Sequence, residues 1–176
     1  MRKVRYDVAA SLDGYIAGPN GEYDWIPEEP LIDFEEMFAR VDTVLLGRMS
    51  FEVAQQMGGS PWSKNMRVYV FSRTLRQEDY PNVTVVNENA GRVVAELRAE
   101  PGDGEIWLFG GGKLFKSLLA EGQVDTINVG LTPVLLGEGI PLLAPGAPKT
   151  NLKLTHTKAY PSGIVMLSYD VQHSAA

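Results

Sequence analysis

The sequence contains no cysteine and only two histidines among its 176 residues. The lack of cysteine excludes a disulfide scaffold, thiolate metal ligands and a cysteine nucleophile. No apolar run approaches the ~20 residues of a membrane-spanning helix, and no apolar segment of the signal-peptide type follows the basic N-terminal residues. We expect His156 and His173, near the C-terminal end, to lie on the surface and to bind no metal. These absences predict a cytoplasmic protein without a metal site.

Basic residues are also scarce. Lysine and arginine total 16 against 22 acidic residues, which gives a net charge of −6. An acidic chain without a basic run argues against nucleic-acid binding, but a few local cations and backbone N–H groups suffice to bind a small phosphorylated ligand. The length suits one domain, which we expect to cover residues 1–176. The predicted partner is therefore a small molecule, not a nucleic acid or a membrane.

Strand and helix patterns alternate along the middle of the chain, which favours a sheet with parallel strands and helices on both faces. The last two strand patterns form an antiparallel hairpin. We predict a three-layer α/β/α fold with a mixed, mostly parallel sheet. The predicted strands cover residues 4–12, 15–17, 43–46, 67–71, 83–86, 105–109, 126–131, 152–159 and 164–171. The predicted helices cover residues 33–40, 48–57 and 90–99, and a fourth helix follows the glycines at 110–112 and continues through residue 119.

Two junctions in this pattern share a glycine turn and a basic residue at the start of a helix. One is Gly47-Arg48, and the other is the run from Gly110 to Lys113. A helix start exposes unpaired N–H groups, glycine allows close approach, and a cation adds charge-assisted hydrogen bonds. Side by side, the two junctions would bind the two phosphates of a dinucleotide, whereas the alternative is that the glycines merely turn each strand into a helix. The Rossmann and P-loop patterns both fail here.

The same residues resemble the dihydrofolate reductase superfamily. Residues 47–52, Gly-Arg-Met-Ser-Phe-Glu, are similar to its Gly-Arg-x-Thr-Trp-Glu element, and residues 109–115 are similar to its Ile-Gly-Gly-Gly-Arg-Val-Tyr element. Residues 68–73 fall where that family binds the adenosine 2′-phosphate. The resemblance implies a dihydrofolate-reductase-like fold and NADPH as cofactor. The implied NADPH-binding residues are Ala9, Ile16, Gly47, Arg48, Met49, Ser50, Phe71, Ser72, Arg73, Gly110, Gly111, Gly112, Lys113, Leu114 and Phe115.

One branch of the superfamily is more similar than the others. Residues 9–17 contain the Ser-Leu-Asp-Gly typical of the reductase domain of the bifunctional riboflavin-biosynthesis deaminase–reductase, and residues 132–139 match that branch too. The resemblance implies hydride transfer to a C=N bond of a pyrimidine- or pterin-like heterocycle, as in 5-amino-6-(5-phosphoribosylamino)uracil reductase. Asp7 stands where that branch usually has lysine, which argues against the phosphoribosyl substrate. The alternatives are dihydrofolate reduction proper and a non-catalytic nucleotide-binding dimer.

Four residues are candidates for contact with the substrate. A carboxyl whose pKa is raised by desolvation can assist proton transfer, and we predict Asp33, then Asp13, for that catalytic role. The alternatives are a helix cap for Asp33 and an Asp-Gly turn for Asp13. Ser11, Trp25 and Asp33 are predicted to face the substrate, with Trp25 in a loop that closes over it. Relatives in this branch commonly dimerise, so the apolar stretches 134–136 and 140–143 suggest a homodimer, or else packing within the monomer.

Overall fold

The computed structural model describes residues 1–56, 62 and 64–173. The strands are β1 (Val4–Ser11), β2 (Tyr15–Ala17), β3 (Val41–Gly47), β4 (Arg67–Phe71), β5 (Thr84–Val86), β6 (Glu105–Gly110), β7 (Thr126–Thr132), β8 (Ile140–Pro141), β9 (Asn151–Ala159) and β10 (Val165–Gln172). The helices are α1 (Phe34–Phe38), α2 (Arg48–Gln56), α3 (Ala90–Ala99) and α4 (Gly112–Ala120). The last residue of the predicted helix 48–57 lies outside the described residues.

Eight of the strands form one mixed sheet in the order β5-β4-β3-β6-β1-β7-β10-β9. The six strands from β5 to β7 are parallel to their neighbours, and β10 is antiparallel to both β7 and β9. The C-terminal hairpin therefore adds the antiparallel edge that the sequence pattern predicted. The connection after β7 contributes β8, which pairs with β2 in a separate two-stranded sheet that the sequence did not predict.

Helices cover both faces of the sheet, which confirms the three layers. Alternate residues of a strand point to opposite faces, so each central strand contributes to two cores. Leu45 and Leu108 belong to the core beneath α3 and α4. Val44 and Trp107 belong to the opposite core, which contains Phe51 of α2. The helix that follows β3 and the helix that follows β6 therefore leave the sheet on opposite faces.

Helix α1 is shorter than the predicted 33–40. It begins after Asp33, whose carboxylate accepts a hydrogen bond from the amide of Glu36 at 2.8 Å, and it ends at Phe38. The chain then turns into β3, whose first residue, Val41, pairs with Glu105 of β6. Pairing within the sheet outweighs the helical pattern at this boundary.

Candidate functional site

The two glycine junctions lie side by side. Strands β3 and β6 are parallel neighbours, with Leu46 paired to Gly110. A Cβ added to Gly47 would lie 3.5 Å from the amide nitrogen of Gly111. Because α2 and α4 diverge onto opposite faces of the sheet, the two junctions flank one position at the carboxyl ends of the strands, here called the crevice. This is the position at which open α/β sheets bind ligands.

The start of α4 supplies hydrogen-bond donors to this crevice. The first hydrogen bond within the helix runs from the amide of Phe115 to the carbonyl of Gly111 at 3.0 Å. The amides of Gly112, Lys113 and Leu114 therefore have no acceptor within the helix, and they lie at its positive end. This arrangement suits an anion such as a phosphate.

Internal contacts explain part of the glycine run. Gly110 has a φ of 151°, which residues other than glycine rarely adopt, and the Gly110–Gly111 peptide is cis. A Cβ on Gly111 would lie 3.2 Å from the hydroxyl oxygen of Ser50, and one on Gly112 would lie 3.1 Å from the carbonyl oxygen of Pro141. The glycines thus let three segments of the protein meet closely. At Gly47, by contrast, an added Cβ would make only ordinary van der Waals contacts with the protein.

Three cations lie at or near this end of the sheet. Arg48 is exposed at the start of α2 and forms an ion pair with Glu52 at 2.9 Å. Lys113 at the start of α4 and Arg73 after β4 are exposed, and neither has an ion-pair partner among the described residues. Met49 is 60% exposed. Lys113 and Arg73 are available to a ligand, whereas Arg48 would have to share its guanidinium with Glu52.

Ser72 is buried, and its hydroxyl serves the loop that carries Arg73. It accepts hydrogen bonds from the amides of Thr74 at 3.2 Å and Leu75 at 3.0 Å. Such a bond fixes the turn after β4. Its predicted direct contact with a 2′-phosphate stays a prediction.

Two residues that the resemblance placed against the cofactor point into the core instead. Leu114 is 8% exposed and Phe115 is 3% exposed. The ring of Phe115 stacks on Tyr6 with centroids 4.0 Å apart. Their side chains cover the sheet, as the inward face of α4 must, so contact of Leu114 or Phe115 with a cofactor would be made through the backbone, and it stays a prediction. Ile16 and Phe71 also pack against this core, but remain half-buried, and Ala9 is half-buried as well.

Ser11 and Asp13 form a turn that anchors another loop. The hydroxyl of Ser11, a wholly buried residue, donates to a carboxylate oxygen of Asp13 at 2.7 Å. Asp13 also accepts hydrogen bonds from the amides of Leu136 at 3.1 Å and Gly137 at 2.7 Å. The bond from Ser11, with those from the two amides, lowers the pKa of Asp13 to about 2. The raised pKa predicted for this carboxyl is wrong, and Ser11 faces the turn, not a substrate.

The loop that Asp13 anchors borders the crevice. Residues 133–143, here called the late loop, are attached to the Ser11–Gly14 turn by hydrogen bonds from the amide of Leu12 to Val134 at 2.8 Å and from that of Leu142 to Gly14 at 2.9 Å. Within the loop, Pro141 approaches Gly112 at the start of α4. The sequence analysis did not predict that the late loop borders the crevice. The Asp13-Gly14 turn and the later glycine-rich connection were signals that could have indicated it.

The remaining substrate candidates lie in the segment before α1. Asp33 is exposed and caps α1, so the half-buried cleft expected for its carboxyl is wrong. Trp25 is half-buried, and its indole N–H donates to the carbonyl of Glu22 at 3.0 Å. Glu29 secures the segment, since its carboxylate accepts a hydrogen bond from the amide of Ser162 at 3.0 Å. The side chain of Ser162, and then its amide, lower the pKa of Glu29. A lid role for Trp25 stays a prediction.

Sequence reasoning also missed a continuous series of aromatic rings on the α1–α2 face of the sheet, here called the aromatic row. Phe34 and Phe38 of α1 have centroids 6.4 Å apart, and Phe38 packs on Trp107 at 4.2 Å. Trp107 meets Phe109 at 5.1 Å, and Phe109 meets Trp62 at 6.0 Å. Phe109 directly precedes Gly110 in β6, so the row begins at the crevice. Its members come from three separate segments, which no local motif reveals.

Two features are absent from the described part of the chain. No helix there is long and apolar enough to span a membrane. No group of three or more acidic or histidine side chains there is arranged to bind a metal ion.

Comparisons with known proteins agree with this geometry. The family model of the RibD C-terminal domain matches residues 2–166. The chain is 35% identical to YyaP of Bacillus subtilis (strain 168) over 180 residues, which covers 96% of this chain and 95% of that protein. It is 33% identical to YwjB of the same organism over 162 residues, with coverage of 90% and 92%. Both relatives are named as uncharacterized proteins.

Solved structures share the fold. A Shewanella sp. PV-4 protein named for riboflavin biosynthesis matches with a TM-score of 0.83 and 24% identity, over 97% of this chain and 99% of that one. A pyrimidine reductase-like protein from Corynebacterium diphtheriae matches with a TM-score of 0.71 and 15% identity, over 98% and 93%. A Thermotoga maritima deaminase/5-amino-6-(5-phosphoribosylamino)uracil reductase matches with a TM-score of 0.71 and 17% identity, over 97% of this chain and 57% of that one.

Proposed function

Since the chain belongs to the RibD C-terminal domain family, we propose that it is an NADPH-dependent reductase that transfers a hydride to a C=N bond of a pyrimidine- or pterin-like heterocycle. The family and the reductase names of its structural neighbours support an oxidoreductase role. The finer assignment rests on one observation, which is that the two glycine junctions meet at a single crevice between α2 and α4.

The residues at the crevice fit a dinucleotide. A Cβ at Gly47 would occupy the gap between the two junctions, 3.5 Å from the amide nitrogen of Gly111. The free amides of Gly112, Lys113 and Leu114 suit one phosphate, and Arg48 at the start of α2 suits the other. NADPH, when bound, supplies the hydride, and the protein supplies position and electrostatics.

Arg73 is the proposed determinant of NADPH over NADH. Strand β4 lies next to β3, so the loop after β4 opens at the same end of the sheet as Gly47. Arg73 in that loop is exposed and has no ion-pair partner among the described residues. A guanidinium pairs well with a phosphate, and an adenosine 2′-phosphate is the group that distinguishes the two cofactors.

The protein's own contribution to the reaction is to position the reactants and to exclude water. Asp13 anchors the late loop beside the start of α4, and Glu29 secures the segment that carries Trp25. A closed, dry site strengthens every electrostatic interaction within it. We propose that these two segments border the nicotinamide and the heterocycle.

Thermal unfolding with different ligands tests the proposal. A ligand at a hundredfold excess over its dissociation constant stabilises the folded state by about 2.7 kcal/mol. We expect NADPH and NADP⁺ to raise the unfolding temperature more than NADH or FMN does. In Arg73→Gln the rise in unfolding temperature caused by NADPH should fall to the rise caused by NADH, and the rise caused by NADH should stay unchanged. Equal shifts for NADPH and NADH in the unaltered protein would refute the role of Arg73.

We also propose that the protein acts in the cytoplasm as a homodimer that uses the outer edge of the sheet. All nine residues of β9 are exposed, and they include Leu152 at 42% and Leu154 at 51%. A long exposed edge strand with apolar side chains invites pairing with another chain. Light scattering of the unaltered protein and of Leu154→Lys tests this, with a dimer that dissociates in the variant as the expected result. The outcome does not bear on the cofactor proposal.

A further inference from the structure

Unpaired acidic residues are concentrated in the segment that precedes and opens α1. Seven of the 22 acidic residues of the chain lie within residues 22–36, here called the acidic segment, which contains no lysine or arginine. Six of these seven carboxylates are exposed, and none of the six has an ion-pair partner among the described residues. The acidic segment also exposes Leu31 at 62% and Phe34 at 58%. Apolar side chains rimmed by charged ones are typical of a surface that binds another protein.

Strand β9 and the residues just before it carry the opposite charge. Residues 149–159 contain three lysines and one histidine but no acidic residue. All three lysines, Lys149, Lys153 and Lys158, are exposed, and none has an ion-pair partner in the described part of the chain. Lys153, His156 and Lys158 pair with alternate residues of β10, so they lie on one face of the hairpin. The exposed edge of the sheet is therefore basic in a protein whose net charge is −6.

The acidic segment and β9 adjoin each other in the same protomer. The turn that joins β9 to β10 donates to Glu29 of the acidic segment through the amide of Ser162 at 3.0 Å. The side chain and the amide of Ser162 lower the pKa of Glu29, with a smaller contribution from the charge of Lys158. The two surfaces thus form one continuous area that is acidic in one part and basic in the other. A two-fold rotation can lay the acidic part of each copy on the basic part of its partner.

Charge disfavours the alternative in which β9 pairs with β9 of a second copy. Antiparallel pairing of two identical strands keeps the same faces together, so Lys153, His156 and Lys158 of one copy would lie beside those of the other. Like charges opposite each other destabilise a sheet, and lysine on an edge strand commonly prevents edge-to-edge pairing. The acidic segment would instead bring carboxylates to these cations. Because both complementary surfaces belong to one chain, the partner that always meets them is a second copy.

We propose that the acidic segment of one copy packs along β9 of a second copy, and that the reciprocal contact completes a two-fold homodimer. The proposal rests on the homodimer proposed above and adds the surfaces that form it. The exposed carboxylates pair with Lys153 and Lys158, and the exposed Leu31 and Phe34 cover the leucines of β9. Because the acidic segment also carries Trp25, the second copy holds in place one of the two segments proposed to border the reactants.

Charge reversal on each surface tests this arrangement. The acid-reversed variant carries Glu35→Lys and Glu36→Lys in α1, and the base-reversed variant carries Lys153→Glu and Lys158→Glu in β9. Each should raise the dimer dissociation constant, measured by sedimentation equilibrium, by about tenfold or more, because attractive contacts become repulsive at both symmetric sites. A chain with all four substitutions should dimerise again, within about threefold of the unaltered protein. Added salt should weaken the unaltered dimer.

A control variant separates this effect from the change in net charge. Asp79→Lys with Glu96→Lys changes the net charge as much as the acid-reversed variant does, at two exposed residues outside both surfaces. It should leave the dimer dissociation constant unchanged, and thermal unfolding verifies that every variant is folded. An acid-reversed variant that dimerises as tightly as the unaltered protein would favour pairing of β9 with itself and overturn the proposal. Failure of the fourfold variant to recover the dimer would overturn it as well.

The homodimer and its surfaces fail in different ways. If the unaltered protein is a monomer at every concentration tested, the homodimer itself is wrong, and the surfaces fail with it. If it is a dimer that resists both charge reversals, the homodimer stands and the surfaces proposed here are wrong. Neither result bears on NADPH binding, which the thermal unfolding with ligands tests separately.

Discussion

Gly47 at the end of β3 and Gly111 at the start of α4 approach so closely that a Cβ on the first would lie 3.5 Å from the amide nitrogen of the second. That distance is an ordinary van der Waals contact, so the protein alone tolerates a methyl group there. A bound dinucleotide whose phosphates lie between the two junctions would collide with that methyl group. This difference separates glycine that serves the fold from glycine that serves a ligand.

The substitution Gly47→Ala tests that distinction. The unfolding free energy should change by less than about 1 kcal/mol. NADPH affinity should fall by about tenfold or more, because an added methyl in a close-packed contact costs about 1–3 kcal/mol. Gly130→Ala is the matched control, since its Cβ would also make only ordinary contacts, 3.7 Å from Ile164 and 3.8 Å from Met166. Calorimetric titration and thermal unfolding measure both effects, and unchanged NADPH affinity in Gly47→Ala would refute the crevice.

Arg48 and Glu52 should give opposite effects on NADPH binding although they form one ion pair. The pair is exposed, and such i,i+4 pairs contribute only about 0.3–0.5 kcal/mol to stability. Arg48→Gln should weaken NADPH binding by about tenfold, since hydrogen bonds to charged groups contribute about 1.5–3 kcal/mol. Glu52→Gln should tighten it, because Arg48 loses a competing carboxylate.

The control for this pair is Arg92→Gln, which breaks a similar i,i+4 pair with Glu96 on α3. It should change neither NADPH affinity nor its salt dependence. If Arg48→Gln and Glu52→Gln shift the affinity in the same direction, the ion pair acts only through the stability of α2, and the phosphate role of Arg48 is refuted.

We expect the lowered pKa of Asp13 to make the stability of the protein depend on pH in the acid range. Hydrogen bonds from Ser11 and the late loop lower its pKa to about 2, below the ~3.9 of an unfolded chain. A depressed folded-state pKa contributes stability that is fully present above the unfolded value and is lost as the pH falls through the folded value. The stabilisation by Asp13 should therefore be complete above about pH 5 and should disappear progressively from about pH 4 to pH 2.

Asp13→Asn measures this contribution. Its unfolding temperature should lie below that of the unaltered protein at neutral pH, and the gap should narrow below about pH 4. Asp24→Asn, at an exposed residue of the segment before α1, is the control and should show no such gap. A gap that stays constant from neutral pH to about pH 2 would show that the carboxylate charge is not what anchors the late loop.

Local patterns predicted the parts of the site that consist of neighbouring residues. Gly47-Arg48 and Gly110 to Lys113 are each one strand end and one helix start, so the sequence shows the whole unit. The partner of Asp13 was not predictable in this way, because Gly137 lies 124 positions along the chain. The aromatic row depends equally on tertiary structure. The burial of the Leu114 and Phe115 side chains was not predicted either, because a motif does not tell which face of a helix turns to the core.

Asp33 is a residue for which the sequence leaves two roles open and the structure shows one of them. The sequence allowed either a proton donor or a helix cap, and the structure shows an exposed carboxylate that caps α1. Asparagine caps a helix about as well as aspartate, but alanine costs about 0.5–2 kcal/mol. Asp33→Asn should therefore keep both the stability and the rate of NADPH oxidation with a reducible heterocycle, and Asp33→Ala should lose stability. If Asp33→Asn is fully folded but no longer oxidises NADPH, the carboxyl acts in proton transfer and capping is its lesser role.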